Sequence, residues 1–223
     1  MVAAVYSPGK PGLPFGAGLP WIDLHLHSSA SHDCSVPAEK VDARCRLLGL
    51  GPVFLTDHDS VAGAETLGEQ AIKGEEISTL DGELIGLFLQ SRIEPGNPAL
   101  ETARAIRDQG GLVYLQHPYD RFRRHISEDC LQELAPLIDV VEVFNARSDE
   151  EANRRAADLC EILDAAPGAG SDSHFLNEIG SVYVAIEPFT GAADFLAKLR
   201  RGRIVRRPSR PLMALRARLG ANR

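Results

Sequence analysis

Short apolar runs alternate with longer stretches whose apolar residues recur every three or four positions from residue 21 to about 205. Residues 21–27 (WIDLHLH) read as a short strand ending in polar residues. Ala38–Leu48 has helical spacing and is stopped by Gly49-Leu50-Gly51. Residues 52–58 (PVFLTDH) predict a second strand, and Val61–Ile72 is helix-compatible. Residues 75–89 (EEISTLDGELIGLFL) predict a hairpin about Asp81-Gly82, a strong turn dipeptide. The spacing predicts a helix over Asn97–Gln109, closed by Gly110-Gly111. A strand at 111–118 (GLVYLQHP), a helix over Ser127–Leu137, a strand at 138–147 (IDVVEVFNAR) and a helix over Asp149–Leu163 follow. The chain then runs through PGAGSDSH, GSVYVAI and a last helix near Ala192–Arg201. Such alternation with short joins means an α/β fold on a mostly parallel sheet, either closed or doubly wound.

The polar residues choose between these two. Histidines or acids stand at nearly every predicted strand end: His25 and His27, Asp57 and His58, His117, Glu142 with Asn145, and Asp172 with His174. In a β/α barrel all C-terminal strand ends meet at one mouth, whereas an open sheet uses only those near its switch point. Five chemically rich ends favour a closed or nearly closed barrel. His25 and His27 are two residues apart on a strand, so both rings point to one face. Imidazoles mixed with carboxylates suit Zn, Mn or Fe. The sequence holds no GxSxG, no P-loop and no GxGxxG, which removes support for serine-nucleophile, P-loop and dinucleotide chemistries.

Composition narrows the class. The 223 residues are 44% hydrophobic and 25% charged, a globular balance. No apolar run approaches the ~20 residues of a membrane span, and the first residues do not read as a signal peptide. Cys34, Cys45, Cys130 and Cys160 have no metal-knot spacing, so a reducing cytoplasm is expected. Nine arginines and no acid lie between Arg200 and Arg223, leaving 15 basic against 31 acidic residues before them. That acidic body argues against a broad basic face for nucleic acid, but a phosphate substrate stays open if metal ions supply the positive charge. Four prolines and four glycines within residues 7–20 mark an arm, so the organisation reads as an arm at 1–20, one domain at 21–205 and a basic tail at 206–223.

DLHLHSSASHD, FLTDHDS, GEEIS, LQHPYD and GSDSH occur in that order between Asp23 and His174. Together they resemble the PHP family, the polymerase and histidinol phosphatase domain. The resemblance implies a distorted seven-stranded β/α barrel with two or three divalent metal ions, Zn, Mn or Fe, at its C-terminal mouth. It implies hydrolysis of phosphoesters by a metal-activated hydroxide. Carried over, His25, His27, Glu76 and Asp172 match the ligands of a first metal. Glu76 matches the carboxylate that bridges to a second, with His117 beside it. Asp33, His58 and His174 match a third, Asp33 being preferred to His32 because it stands six residues after His27. Asp23 and Asp57 are expected to orient the histidines. Many relatives carry a further histidine about eight residues after the bridging glutamate, where this chain has Leu84; Glu83 is a possible substitute.

His58, His174, Arg124 and Arg147 are the candidate catalytic residues. Arg121, Arg123 and Arg124 follow the His117 strand end and Arg147 follows Asn145; a guanidinium matches phosphate geometry. Asp120 and Glu142 are candidate supports of the mouth. The expected substrate is a small phosphorylated metabolite, a nucleotide or a short RNA, with no membrane partner; oligomeric state is left open. Two alternatives stand beside this reading. One is a degenerate, metal-poor PHP module with a binding or structural role. The other is an amidohydrolase, disfavoured because Lys40 and Lys73 fall in predicted helices rather than at strand ends.

Overall fold

The computed structural model describes residues 20–207; the arm up to residue 19 and the tail from residue 208 lie outside the described residues. Strand β1 (Trp21–Ile22) pairs antiparallel with β8 (Val182–Ala185), which pairs antiparallel with β9 (Arg203–Arg206). The other sheet runs in chain order: β2 (Val53–Leu55), β3 (Ala71–Ser78), β4 (Glu83–Leu87), β5 (Leu112–Leu115), β6 (Val140–Asn145) and β7 (Ala166–Gly170). Helices α1 (Ala38–Leu48), α2 (Ala62–Leu67), α3 (Ala99–Asp108), α4 (Glu128–Leu134), α5 (Glu150–Ile162) and α6 (Gly191–Leu199) connect them.

The α/β class and the element order as far as α6 follow the sequence pattern, and β9 is an addition that the pattern did not suggest. In α3, Ala99, Thr102, Ala103 and Ile106 are buried, a spacing that keeps one face against the sheet. Ser127 and Asp149 cap α4 and α5 through side-chain bonds to the amides of Cys130 and Ala152. The predicted hairpin forms: Glu76 faces Ile85, Ile77 faces Leu84 and Ser78 faces Glu83. Strand β4 is antiparallel to both neighbours, while the other pairings of the sheet are parallel. The end of β4 that reaches the C-terminal mouth is therefore its first residue.

The expected seven-stranded barrel becomes a curled six-stranded sheet with a separate three-stranded one. The difference lies in residues 23–27, where side chains take hydrogen bonds that a ladder would need. Asp23 accepts from the amides of Ser171 and Gly180, and the Leu26 amide donates to the Thr56 hydroxyl. The segment still lies in the gap between the edge strands. Leu24 N donates to Ala169 O, Asp172 N to His25 O and His27 N to Ser173 O on one side, and Thr56 N to Leu26 O on the other. The helix expected over 61–72 is also shorter. Gly68, at φ 59°, ends α2, and residues 71–78 form β3. Lys73 thus lies on a strand rather than a helix, with its ammonium on Glu65 and the Gln90 carbonyl, away from the mouth.

Inward side chains of the sheet, Phe54, Ile85, Leu87, Leu112, Tyr114 and Val140 among them, pack on Val184, Phe189, Phe195 and Leu199. The rings of Phe54, Phe88, Phe189 and Phe195 meet at centroid distances of 5.0 to 6.4 Å and fill the interior below the mouth. All four cysteines are free. No described helix is long and apolar enough to cross a membrane.

Candidate metal centre

Histidines and carboxylates from six places along the chain converge above this core, Asp33 among them from the loop before α1. His25 and His27 come from the segment after β1, His58 from just past β2, Glu76 from β3, His117 from just past β5, and Asp172 and His174 from just past β7. Their donor atoms form three overlapping groups: His25 with His27 and Asp172; His25 with Glu76 and His117; and His27 with Asp33, His58 and His174. All eight residues matched by resemblance are therefore brought together. His32 stays outside as a donor, with its ring 5.1 Å from that of His58.

The donor spacings are those of a coordination shell. Glu76 Oε2 lies 3.0 Å from His25 Nε2 and 3.3 Å from His27 Nε2. Asp172 Oδ1 lies 3.4 Å from His27 Nε2 and 3.8 Å from His25 Nε2. Ligands held ~2.1 Å from one ion stand about 3.0–3.4 Å apart along the edges of an octahedron or tetrahedron. His27 Nε2 and Asp172 Oδ1 are buried yet have no hydrogen-bond partner, an arrangement that a shared cation satisfies. The residues present thus fit a metal ion on their own chemistry.

Other residues aim these donors. His25 Nδ1 bonds Glu142 Oε1 at 3.1 Å, the same oxygen accepts from the Tyr114 hydroxyl at 3.0 Å, and Glu142 Oε2 accepts from the His117 amide and Asn145. Ser31 Oγ contacts His27 Nδ1 and donates to Asp57, whose carboxylate also accepts from Ser28. Asp57 therefore acts on His27 as expected, through one hydroxyl. Asp23 accepts from the backbone amides of His25, Ser171 and Gly180, so it holds the backbone that carries His25 and does not orient an imidazole ring directly as expected. Glu142, expected only as a support of the mouth, is the residue that orients the His25 ring. The sequence signal was present in the alternation of β6, which turns Glu142 inward. Gln116, whose amide donates to Glu76 Oε1, was not anticipated; its place beside His117 was the available clue.

Electrostatics prepare the cluster for a cation. Burial would raise the carboxyls of Glu76 and Asp172, but the imidazoles around both, and Arg123 beside Asp172, hold them well below the usual range. Burial drives His58 down to about 4, leaving it neutral and able to ligate. For His27 burial also lowers the pKa, but the carboxylates of Asp172 and Glu76 beside it outweigh it and push the ring up to about 9. His117 and Asp172 sit at positive φ, 28° and 51°, conformations that cost ~1–3 kcal/mol and concentrate at functional sites.

The arginines divide. Arg123 Nη2 pairs with Asp172 Oδ2 at 2.8 Å. Arg147 donates to the Asp172 carbonyl and contacts His174 Nδ1. Arg147 Nε is buried without an acceptor. Arg124 instead donates to the Thr79 carbonyl at 2.9 Å, and Arg121 lies over the Phe122 ring. Asp120 fixes the loop between them by accepting from the Phe122 amide and the Ser148 hydroxyl.

Comparison with known proteins gives a consistent picture. Residues 150–204 match the family model described as PHP-associated. Uncharacterized protein MJ0417 of Methanocaldococcus jannaschii is 36% identical over 170 residues, covering 73% of this chain and 69% of that one. Among solved structures, a two-domain protein of Bacteroides vulgatus containing a predicted PHP-like metal-dependent phosphoesterase superposes with a TM-score of 0.66 at 18% identity, over 98% of this chain and 74% of that one. The lesion-specific endonuclease Q of Pyrococcus furiosus superposes with a TM-score of 0.59 at 16% identity, over 83% and 57%.

Proposed function

Since the chain belongs to the PHP family, we propose that it is a divalent-metal-dependent phosphoester hydrolase acting on a small phosphorylated metabolite, a nucleotide or a short oligonucleotide. The observation that carries this reading is the donor cluster, in which Glu76 Oε2 and Asp172 Oδ1 each lie 3.0 to 3.8 Å from the buried Nε2 atoms of His25 and His27. Those four residues would hold one ion, Glu76 with His117 a second, and Asp33, His58 and His174 a third. A divalent ion bound there supplies a Lewis acid and brings water toward ionisation near neutral pH.

The chain's own groups do the rest. Arg123 and Asn145 hold Asp172 Oδ2, so that Oδ1 stays turned to the imidazoles. Glu142 and Ser31 fix the rings of His25 and His27. Arg147 has a buried Nε–H without an acceptor beside His174, and a phosphate oxygen would satisfy it. The endonuclease Q likeness supports keeping nucleic acid among the candidate substrates. The acidic body favours a short substrate seated in the mouth over a long duplex on a broad basic face. The four free thiols support the proposal of a reducing, cytoplasmic setting.

The test is hydrolysis of p-nitrophenyl phosphate, its bis-ester, nucleoside 3′,5′-bisphosphates and short RNA by Mn-loaded and chelated protein. Release of phosphate or nucleotide only from the loaded protein, lost in His27→Ala and Asp172→Ala together with bound metal, is the expected result. A metal-loaded protein that hydrolyses none of them sinks the reading.

A further inference from the structure

The two oxygens of Glu76 face different surroundings. Oε2 lies among His25, His27 and His58, at 3.0, 3.3 and 3.7 Å. Oε1 faces His117 Nε2 at 3.2 Å and the Gln116 amide at 3.1 Å. The Oε2 side is rich in donors; the Oε1 side has one imidazole and a neutral amide. An ion on that side needs another donor, and Leu84 supplies none. Leu84 is fully buried with Ile77, Ala103 and Ile106 beneath α3, on the far face of the sheet.

The register puts Glu83 in the vacant role. Paired residues of a sheet share a face, so Glu83, opposite Ser78, lies on the inward face two residues from Glu76 and at the mouth end of β4. Its carboxylate is partly buried and, among the described residues, has no hydrogen bond or ion pair. Burial and Glu76 push it up to about 7 while His117, Arg124 and Arg123 pull it down, so these four groups are its electrostatic neighbours. Neither arginine neutralises it by contact: Arg124 is held by the Thr79 carbonyl and Arg123 by Asp172. A partly buried, unpaired carboxylate beside a second carboxylate is disfavoured in its charged form, and a cation between the two offsets that.

Building on the hydrolase reading, we propose that Glu83 is a protein ligand of the second metal ion, beside Glu76 and His117. Two carboxylates and one imidazole make this position harder than the others. It accepts oxygen-seeking ions such as Mn²⁺ more readily than a histidine at the same place would allow.

The experiment compares wild type, Glu83→Gln and Glu83→His, each stripped with chelator, dialysed against equal Mn²⁺ and Zn²⁺, and analysed for metal per chain. Circular dichroism of the stripped proteins checks that all three fold alike. Glu83→Gln is expected to hold about one ion fewer than wild type. Glu83→His is expected to keep the wild-type total with a higher share of Zn. Equal metal content in wild type and Glu83→Gln overturns the assignment, as does a wild type that binds fewer than two ions. Loss of one ion in Glu83→Gln, in a wild type that hydrolyses no phosphoester, supports the assignment while the hydrolase reading fails.

Discussion

At position 170 a single hydrogen in place of a methyl lets two ligand-bearing segments touch. A Cβ there would collide with His25 Cβ and Glu142 Oε1, the pair whose hydrogen bond sets the His25 ring. Gly170→Ala should therefore destabilise the fold by roughly 1–3 kcal/mol through overpacking and weaken metal binding as well. Thermal melts with and without Mn²⁺ check both effects, and an unchanged metal affinity would show that the His25–Glu142 contact does not tune the site. The arginines make a second residue-scale test. Arg147→Ala removes a charge-assisted donor worth about 1.5–3 kcal/mol and should cost roughly 10- to 100-fold in kcat/KM with metal content intact. The loss falls on KM if Arg147 binds ground and transition states alike, and on kcat if it acts on transition-state charge. Arg124→Ala, which frees the Thr79 carbonyl and removes a charge that contacts none of the metal donors, should change kcat/KM less than threefold or so.

Among the elements, the hairpin β3–β4 and helix α6 do most to shape the interior. Because β4 runs against its neighbours, its first residue rather than its last points to the mouth, and the two faces of the hairpin divide cleanly. Glu76 and Glu83 look inward, while Ile77 and Leu84 anchor α3. Helix α6 supplies Phe195, which is fully buried against Phe54, Phe88 and Phe189 in the floor of the curled sheet. Phe195→Ala should cost about 3–5 kcal/mol, seen as a lower denaturation midpoint with unchanged m-value. The mutation lies below the mouth, so the folded fraction should still take up its full complement of metal. A large loss of metal with little loss of stability would contradict this separation of floor and mouth.

For the molecule as a whole, metal and protons compete for the same buried shell. In the metal-free protein, His27 is raised from its ordinary 6.5 to about 9. Its charged form stabilises the fold fully below about pH 6.5, and that contribution is lost as pH rises through about 9. A bound cation takes the place of the proton on the ring. The gain in melting temperature on adding Mn²⁺, measured against the same protein in chelator, should therefore grow from pH 6.5 to 9 and level off above. Taking the difference at each pH cancels groups away from the site. A gain independent of pH over that range would mean that His27 carries no proton in the metal-free state, or no metal in the loaded one.

Periodicity and residue type by themselves determined the α/β class, the order of elements as far as α6, the turn at Asp81-Gly82 and the histidines and acids at the strand ends, while the resemblance to the PHP family implied the set of eight donors. These rest on local physics: side-chain alternation, helical spacing, turn chemistry and the few residue types able to ligate a metal. Helix α1, Ala38–Leu48, agrees to the residue, because Gly49 adopts the left-handed conformation its sequence position suggests. Only the tertiary structure decided the rest. That residues 23–27 give up a regular ladder depends on Ser171, Gly180 and Thr56, which are far away in the chain. That Arg123 rather than Arg124 reaches Asp172 depends on where the loop after β5 crosses the mouth, which adjacent arginines cannot reveal. That Glu83 and not Leu84 shares the inward face with Glu76 is set by strand register, and one residue of register exchanges the two faces of a sheet.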